Sequence, residues 1–257
     1  MASTGSISMQ GTLFDRYIGI DYSGSGLPTD GRHGIQVFIA TPNADTRPIR
    51  PPVGNHWSRA AVAAWLIEQM AQDQRLIVGI DHAFALPREK MGDSSNWAEF
   101  LEMFRDEWRT DERQVTLAEI ASCYPDCQDL LRLTEQWTSS AKSVFNTHGP
   151  GVACSTFAGI PWLLRIRQTC GDRVFFWPFD SWVPDPTKHV IVEVYPALFK
   201  NRYRSTDLTA DALDAFAVAQ WLKDTDKNGF LEHYFAPPLT PEQRKLAQLE
   251  GWILGVC

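Results

Sequence analysis

The chain has 257 residues, 44% of them hydrophobic, and 24 Lys and Arg against 31 Asp and Glu give it a formal net charge of −7. This suffices for one large α/β domain or two small ones, and no stretch approaches the roughly 18 uninterrupted apolar residues of a membrane span. The negative balance weighs against a broad, nonspecific nucleic-acid binder, which needs a basic surface, but leaves room for a local basic patch.

Residues 1–12, MASTGSISMQGT, are small and polar with no apolar h-region, so they read as a flexible tail before a single domain over 13–257. YIGID at 17–21 is an apolar run ending on aspartate, and SGSG at 23–26 is a turn. GIQVFIA at 34–40 reads as a second strand, so 17–40 is expected to be a hairpin with a long connection. Pro42, Pro48, Pro51 and Pro52 make 42–56 irregular or an edge strand. Ser58 N-caps a helix over about 59–72, with Val62, Trp65, Leu66 and Met70 on one face. LIVGID at 76–81 is a buried strand that again ends on aspartate.

Trp97, Phe100, Leu101, Phe104 and Trp108 recur at helical spacing, which marks a packing face. The stretch after it is more polar, and about 87–150 reads as a helical insertion. A helix over 156–168 is expected to begin only after Gly159, because Pro161 follows. Residues 173–177 and 190–195 are strand candidates. Thr209 caps the strongly helical ADALDAFAVAQWL, Pro237, Pro238 and Pro241 mark a loop, and 241–250 forms a last short helix. Apolar strands without alternation, mixed with helices, define a layered α/β sheet.

The five cysteines, Cys123, Cys127, Cys154, Cys170 and Cys257, are odd in number and scattered. That argues against a disulfide framework and points to the reducing cytoplasm. Cys123 and Cys127 lack the second ligand pair of a structural zinc site.

Two strands share one ending, Gly19-Ile20-Asp21 and Gly79-Ile80-Asp81. Ligands of open α/β sheets gather beyond the carboxyl ends of strands. If the two strands are neighbours, both carboxylates enter one crevice, and like charges there call for a cation or a proton. Each aspartate alone also reads as an ordinary turn residue. Asp211 and Asp214, three apart, share a helix face. Asp211 suits a first helical turn by the helix dipole alone. Asp214 lies in the apolar run Leu213-Asp214-Ala215-Phe216, where an aspartate is a poor helix former and needs a partner. Glu193, flanked by Val192 and Val194, faces either solvent on an edge or a site, and both readings stay open.

The runs YIGIDYSGSG, VGIDHAFALP, VEVYPALF and DALDAFAVA, in that order, resemble the domain-of-unknown-function 429 family. That family is a predicted nuclease group with the ribonuclease H-like fold, a mixed sheet flanked by helices, and DALDAFAVA also resembles the last acidic motif of RuvC-type resolvases. The resemblance implies that Asp21 is the first-strand aspartate and Asp81 the fourth-strand acidic residue. It makes Asp211 and Asp214 the C-terminal helix pair and Glu193 the family's strand glutamate. The fold's third strand is hard to find in 42–56.

A carboxylate-only site suits Mg²⁺ or Mn²⁺. Two such ions hydrolyse phosphodiesters; Asp21 would bridge them, Asp81 and Asp214 would hold one each, and Asp211 would support. The carboxylates should then lie within about 6 Å of one another. Ser23, Lys142 near Gly149-Pro150-Gly151, and Arg165 with Arg167 are the candidate phosphate contacts, so nucleic acid is the expected partner, through a local basic patch. Lys200, Arg202 and Arg204, clustered just after the Glu193 strand, are further positive groups that could contact phosphate, although the cluster reads more readily as a solvated charged turn. His82 is expected to point away from Asp81. Two other functions fit the same pattern: an actin-like or sugar-kinase-type phosphotransferase whose Asp21–Gly26 turn cradles phosphate, and a non-catalytic binding module.

Overall fold

The computed structural model describes residues 11–138, 141–148, 151–203 and 205–257. Residues 1–10 of the expected tail, Gly149 and Pro150, and Arg204 of the basic turn lie outside the described residues.

Six strands form one mixed sheet in the order β3-β2-β1-β4-β6-β5. β1 (Arg16–Asp21) is antiparallel to β2 (Gln36–Thr41), the hairpin expected from the apolar runs. β2 pairs in turn with β3 (Ala44–Pro48), so the proline-rich stretch does hold a third strand. Pro48 is tolerated because β3 is an edge strand, with four of its five residues exposed. On its other side β1 runs parallel to β4 (Leu76–Asp81), and β4 runs parallel to β6 (His189–Glu193). β5 (Val174–Trp177) closes that edge beside β6.

Helices cover both faces. One face carries α1 (Arg59–Gln69), α2 (Trp97–Trp108) and α5 (Ala153–Cys170) over Ile18, Ile20, Val78, Ile80 and Ile191. Between α2 and α5 run two shorter helices, α3 (Leu117–Cys123) and α4 (Leu133–Gln136). The opposite face, with Tyr17, Ile77, Val190 and Val192, is covered by α6 (Ala210–Lys227), followed by α7 (Leu231–Tyr234) and α8 (Pro241–Glu250). The caps read from sequence form: Ser58 accepts from the Ala61 amide and Thr209 from the Ala212 amide. Asp226 near the end of α6 accepts from the Leu13 and Phe14 amides and the Tyr17 hydroxyl, which ties this helix to the start of β1. No described helix is long and apolar enough to cross a membrane.

α5 departs from expectation. It begins at Ala153 and runs through Pro161. Proline has no N–H, so the carbonyl four residues back, Phe157 O, loses its helical donor. The buried Thr110 hydroxyl donates to that carbonyl at 2.5 Å. A distant side chain replaces the missing bond, which no local pattern reveals.

Candidate metal centre

Asp21 and Asp81 are direct partners across the parallel β1–β4 pair, and so are Gly19 and Gly79 two residues earlier. Alternation puts all four positions on the face that α6 covers. A Cβ at Gly19 would run into the Ala215 carbonyl and lie 2.6 Å from the Ala219 nitrogen; one at Gly79 would lie 2.6 Å from Val218 Cγ1. The two glycines therefore let α6 lie directly on the strands. Its first turns then stand over the strand ends and bring Asp211 and Asp214 to Asp21 and Asp81. The repeated Gly-Ile-Asp thus supplies both the acid and the clearance for the helix that completes the cluster.

Asp21, Asp81 and Asp214 each offer a carboxylate oxygen, and these oxygens lie within 4.8 Å of one another. The three could hold a metal ion. Burial, then the charges of Asp81, Asp211 and Asp214, push the Asp21 carboxyl up to about 9. Burial, then Asp214 and Glu193, push Asp81 up to about 8. Lys200 opposes both shifts and pairs with Asp214, its Nζ 3.0 Å from Oδ1. Oδ1 of Asp214 is buried, with the Lys200 ammonium beside it. An all-oxygen donor set of three crowded carboxyls, two of which burial and mutual repulsion hold back from ionising, fits a hard divalent cation.

The cluster opens into a cavity of about 720 Å³. Asp211, Ser23, Lys142 and Tyr195 line it, as does the N-terminal turn of α5 through Cys154 and Ser155. Asp211 stands beside the loop that enters β2, where a Cβ on Gly34 would be 3.7 Å from its Oδ2. Ser23 closes the turn after β1, its Oγ accepting from the Ser25 amide and 3.1 Å from Ser25 Oγ. Arg59, fully buried at the start of α1, fastens this turn from behind by donating to the carbonyls of Ser23, Ser25 and Gly26. Gly24 is required there, since a Cβ would meet the Cys154 carbonyl of α5. Arg59 was not foreseeable from its position as the first residue of a helix.

Four residues considered from sequence stand apart. Glu193 is the register partner of Ile80, which places it on the opposite face from Asp21 and Asp81. It is buried there and held by Arg132, whose Nη1 is 2.9 Å from Oε2 and Nη2 2.5 Å from Oε1, and it accepts from the Phe84 amide. Glu193 faces neither solvent nor the cavity; its carboxylate is taken up by an arginine from the polar 110–150 stretch. Arg165 is exposed, lies over the Trp162 ring, and follows Ser155 by ten residues of α5, about 15 Å of helix rise. Its neighbour Arg167 pairs with Asp180. His82 points away from the cluster, as alternation requires, and packs against Tyr22 and Phe84. Burial pulls it down to about 4, so it is neutral.

The centre is thus a three-carboxylate cluster at the carboxyl ends of two adjacent parallel strands of a mixed α/β sheet, completed by a helix from the far end of the chain. Comparison with protein-family models, with curated proteins and with solved structures finds no match to this chain.

Proposed function

We propose that this protein is a metal-dependent nuclease of the ribonuclease H-like kind, akin to the domain-of-unknown-function 429 group, hydrolysing phosphodiester bonds with Mg²⁺ or Mn²⁺. The observation that carries the reading is the approach of the Asp21, Asp81 and Asp214 oxygens to within 4.8 Å of one another, beside an open cavity. The order of the elements supports it too. An aspartate ends the first strand, an acid ends the parallel strand beside it, and an acidic pair opens the last long helix, the positions to which the resemblance carries those roles.

Asp21 and Asp81 face each other across the strand pair and hold the centre from below, and Asp214 holds it from α6. Bound ions would supply a water of lowered pKa and neutralise charge developing on the phosphate oxygens. Asp211, Ser23, Lys142 and the first amides of α5 lie around the same cavity. Ser23, Lys142 and the positive end of the α5 dipole would orient a phosphate against the carboxylates. With a net charge of −7 the attraction for a polyanion has to be local, so nucleic acid would engage this cavity and not a broad basic face. The five free thiols support a reducing compartment, the cytoplasm.

Incubation of the purified protein with branched, hybrid and single-stranded polynucleotides plus Mn²⁺ tests the reading. Cleavage that disappears in Asp21→Asn is expected. No cleavage of any substrate, or cleavage unaffected by Asp21→Asn, overturns it.

A further inference from the structure

Lys200 belongs to a charged turn that reads as solvated, yet its ammonium, still partly exposed, stands at the edge of the acidic cluster on Asp214. Its Nζ lies 3.0 Å from Oδ1 and 3.1 Å from Oδ2 of Asp214, straddling a carboxylate that is one of the three candidate ligands. The fold builds this position. Lys200 opens a single 3-10 turn, Lys200–Arg202, entered directly from Phe199. Phe199 is buried and stacks on Trp221 of α6, ring centroids 4.5 Å apart and 5° from parallel. Tyr203, just after the turn, donates to Asp224 of the same helix at 3.1 Å. The turn is pinned at both ends to the helix that carries Asp214, so the ammonium is delivered to that carboxylate by tertiary structure.

A divalent ion bound by Asp214 would sit about 2.1 Å from one of its oxygens. With Lys200 on the same carboxylate, the two cations would be within about 5 Å of each other, where like charges in a half-buried site repel strongly. We propose that Lys200 is an internal counter-ion that occupies Asp214 in the metal-free protein and is displaced when a divalent cation binds, so that it sets the threshold for metal occupancy. Its field reaches the other two ligands as well, since it opposes the charge crowding at both Asp21 and Asp81. Displacement has somewhere to go. Lys200 borders a second cavity of about 530 Å³, where Thr206 and Asp207 offer oxygen acceptors. Lys200 is a positioning residue in this scheme.

The inference rests on the metal-site reading above, and one titration separates the two. Calorimetric titration of Mn²⁺ into the wild type, Lys200→Met and Lys200→Arg is expected to show binding about tenfold tighter in Lys200→Met, a coupling of ordinary allosteric size, and no tighter than wild type in Lys200→Arg. If the wild type binds Mn²⁺ and Lys200→Met binds it equally or more weakly, the ammonium merely orients Asp214; the counter-ion role is then overturned and the metal site stands. Absence of Mn²⁺ binding by both proteins overturns both. A second measurement needs no variant. Acetylation of Lys200 in the wild type, followed by mass spectrometry, should accelerate when Mn²⁺ is added, and an unchanged or slower rate refutes displacement.

Discussion

Replacing Asp21 by asparagine should make the metal-free protein more stable while removing its response to metal. Burial and three neighbouring aspartates raise the Asp21 carboxyl from its ordinary 3.8 to about 9. A carboxyl raised on folding favours the folded state less and less as pH climbs from the unfolded value near 4 to the folded value near 9. At pH 7 that span is about three pKa units, an upper bound of about 4 kcal/mol. Solvent in the open cavity screens part of this, which leaves about 2 kcal/mol. Asparagine keeps the shape and removes the charge, so the variant should recover about that amount. For a chain of this length each kcal/mol moves Tm by about 2–4 °C, so Tm should rise by about 4–8 °C. In the wild type, Mn²⁺ at a hundred times its Kd should add about 2.7 kcal/mol, and in Asp21→Asn that increment should vanish. Differential scanning calorimetry at pH 7, with and without Mn²⁺, reads both effects. A metal-free variant less stable than wild type, or a Mn²⁺ increment that survives the substitution, refutes the electrostatic account of the site.

Three further outcomes are expected. Mn²⁺ has to displace protons from Asp21 and Asp81, held up to about 9 and about 8, so its affinity should climb with pH until about 9; calorimetry in buffers of different ionisation enthalpy should show about one to two protons released at pH 7, and a pH-independent affinity contradicts this. Gly19→Ala puts a methyl against the α6 backbone, so unfolding should ease by about 1–3 kcal/mol. Mn²⁺ binding should weaken with it, because Asp211 and Asp214 ride on that helix, and an unchanged Mn²⁺ isotherm means α6 does not need this clearance. Arg132→Met strands Glu193 and Glu135 without their counter-charge in the interior, a loss of about 3–5 kcal/mol by urea denaturation. Adding Glu193→Gln should restore part of it, and additive losses in the double variant speak against a shared buried pair.

The secondary structure was legible because its signals are local. Ser58 and Thr209 mark their helix starts with side-chain caps, and the apolar runs 17–21 and 76–81 are the strands they resemble. The exception is α5, where Pro161 predicts a late start and Thr110, fifty-one residues away, removes the reason for it. The third strand was obscured by prolines that an edge position tolerates.

The acidic cluster was half legible. A repeated Gly-Ile-Asp marks two strand ends, and an aspartate inside an apolar helix marks the third carboxylate, since alternation and helical spacing decide which residues share a face. Whether those faces meet depends on which strands are neighbours and how close a helix can lie. The β1–β4 register and the close seating of α6 on Gly19 and Gly79 decided that, and they bring the three carboxylates within 4.8 Å. The same long-range packing sent Glu193 to the other face, where Arg132 holds it, left Arg165 at the surface over Trp162, and paired the partly exposed Lys200 with Asp214. Residue type and spacing determine what a side chain can do; the partner that claims it comes from contacts across the sheet, between residues tens to hundreds of positions apart.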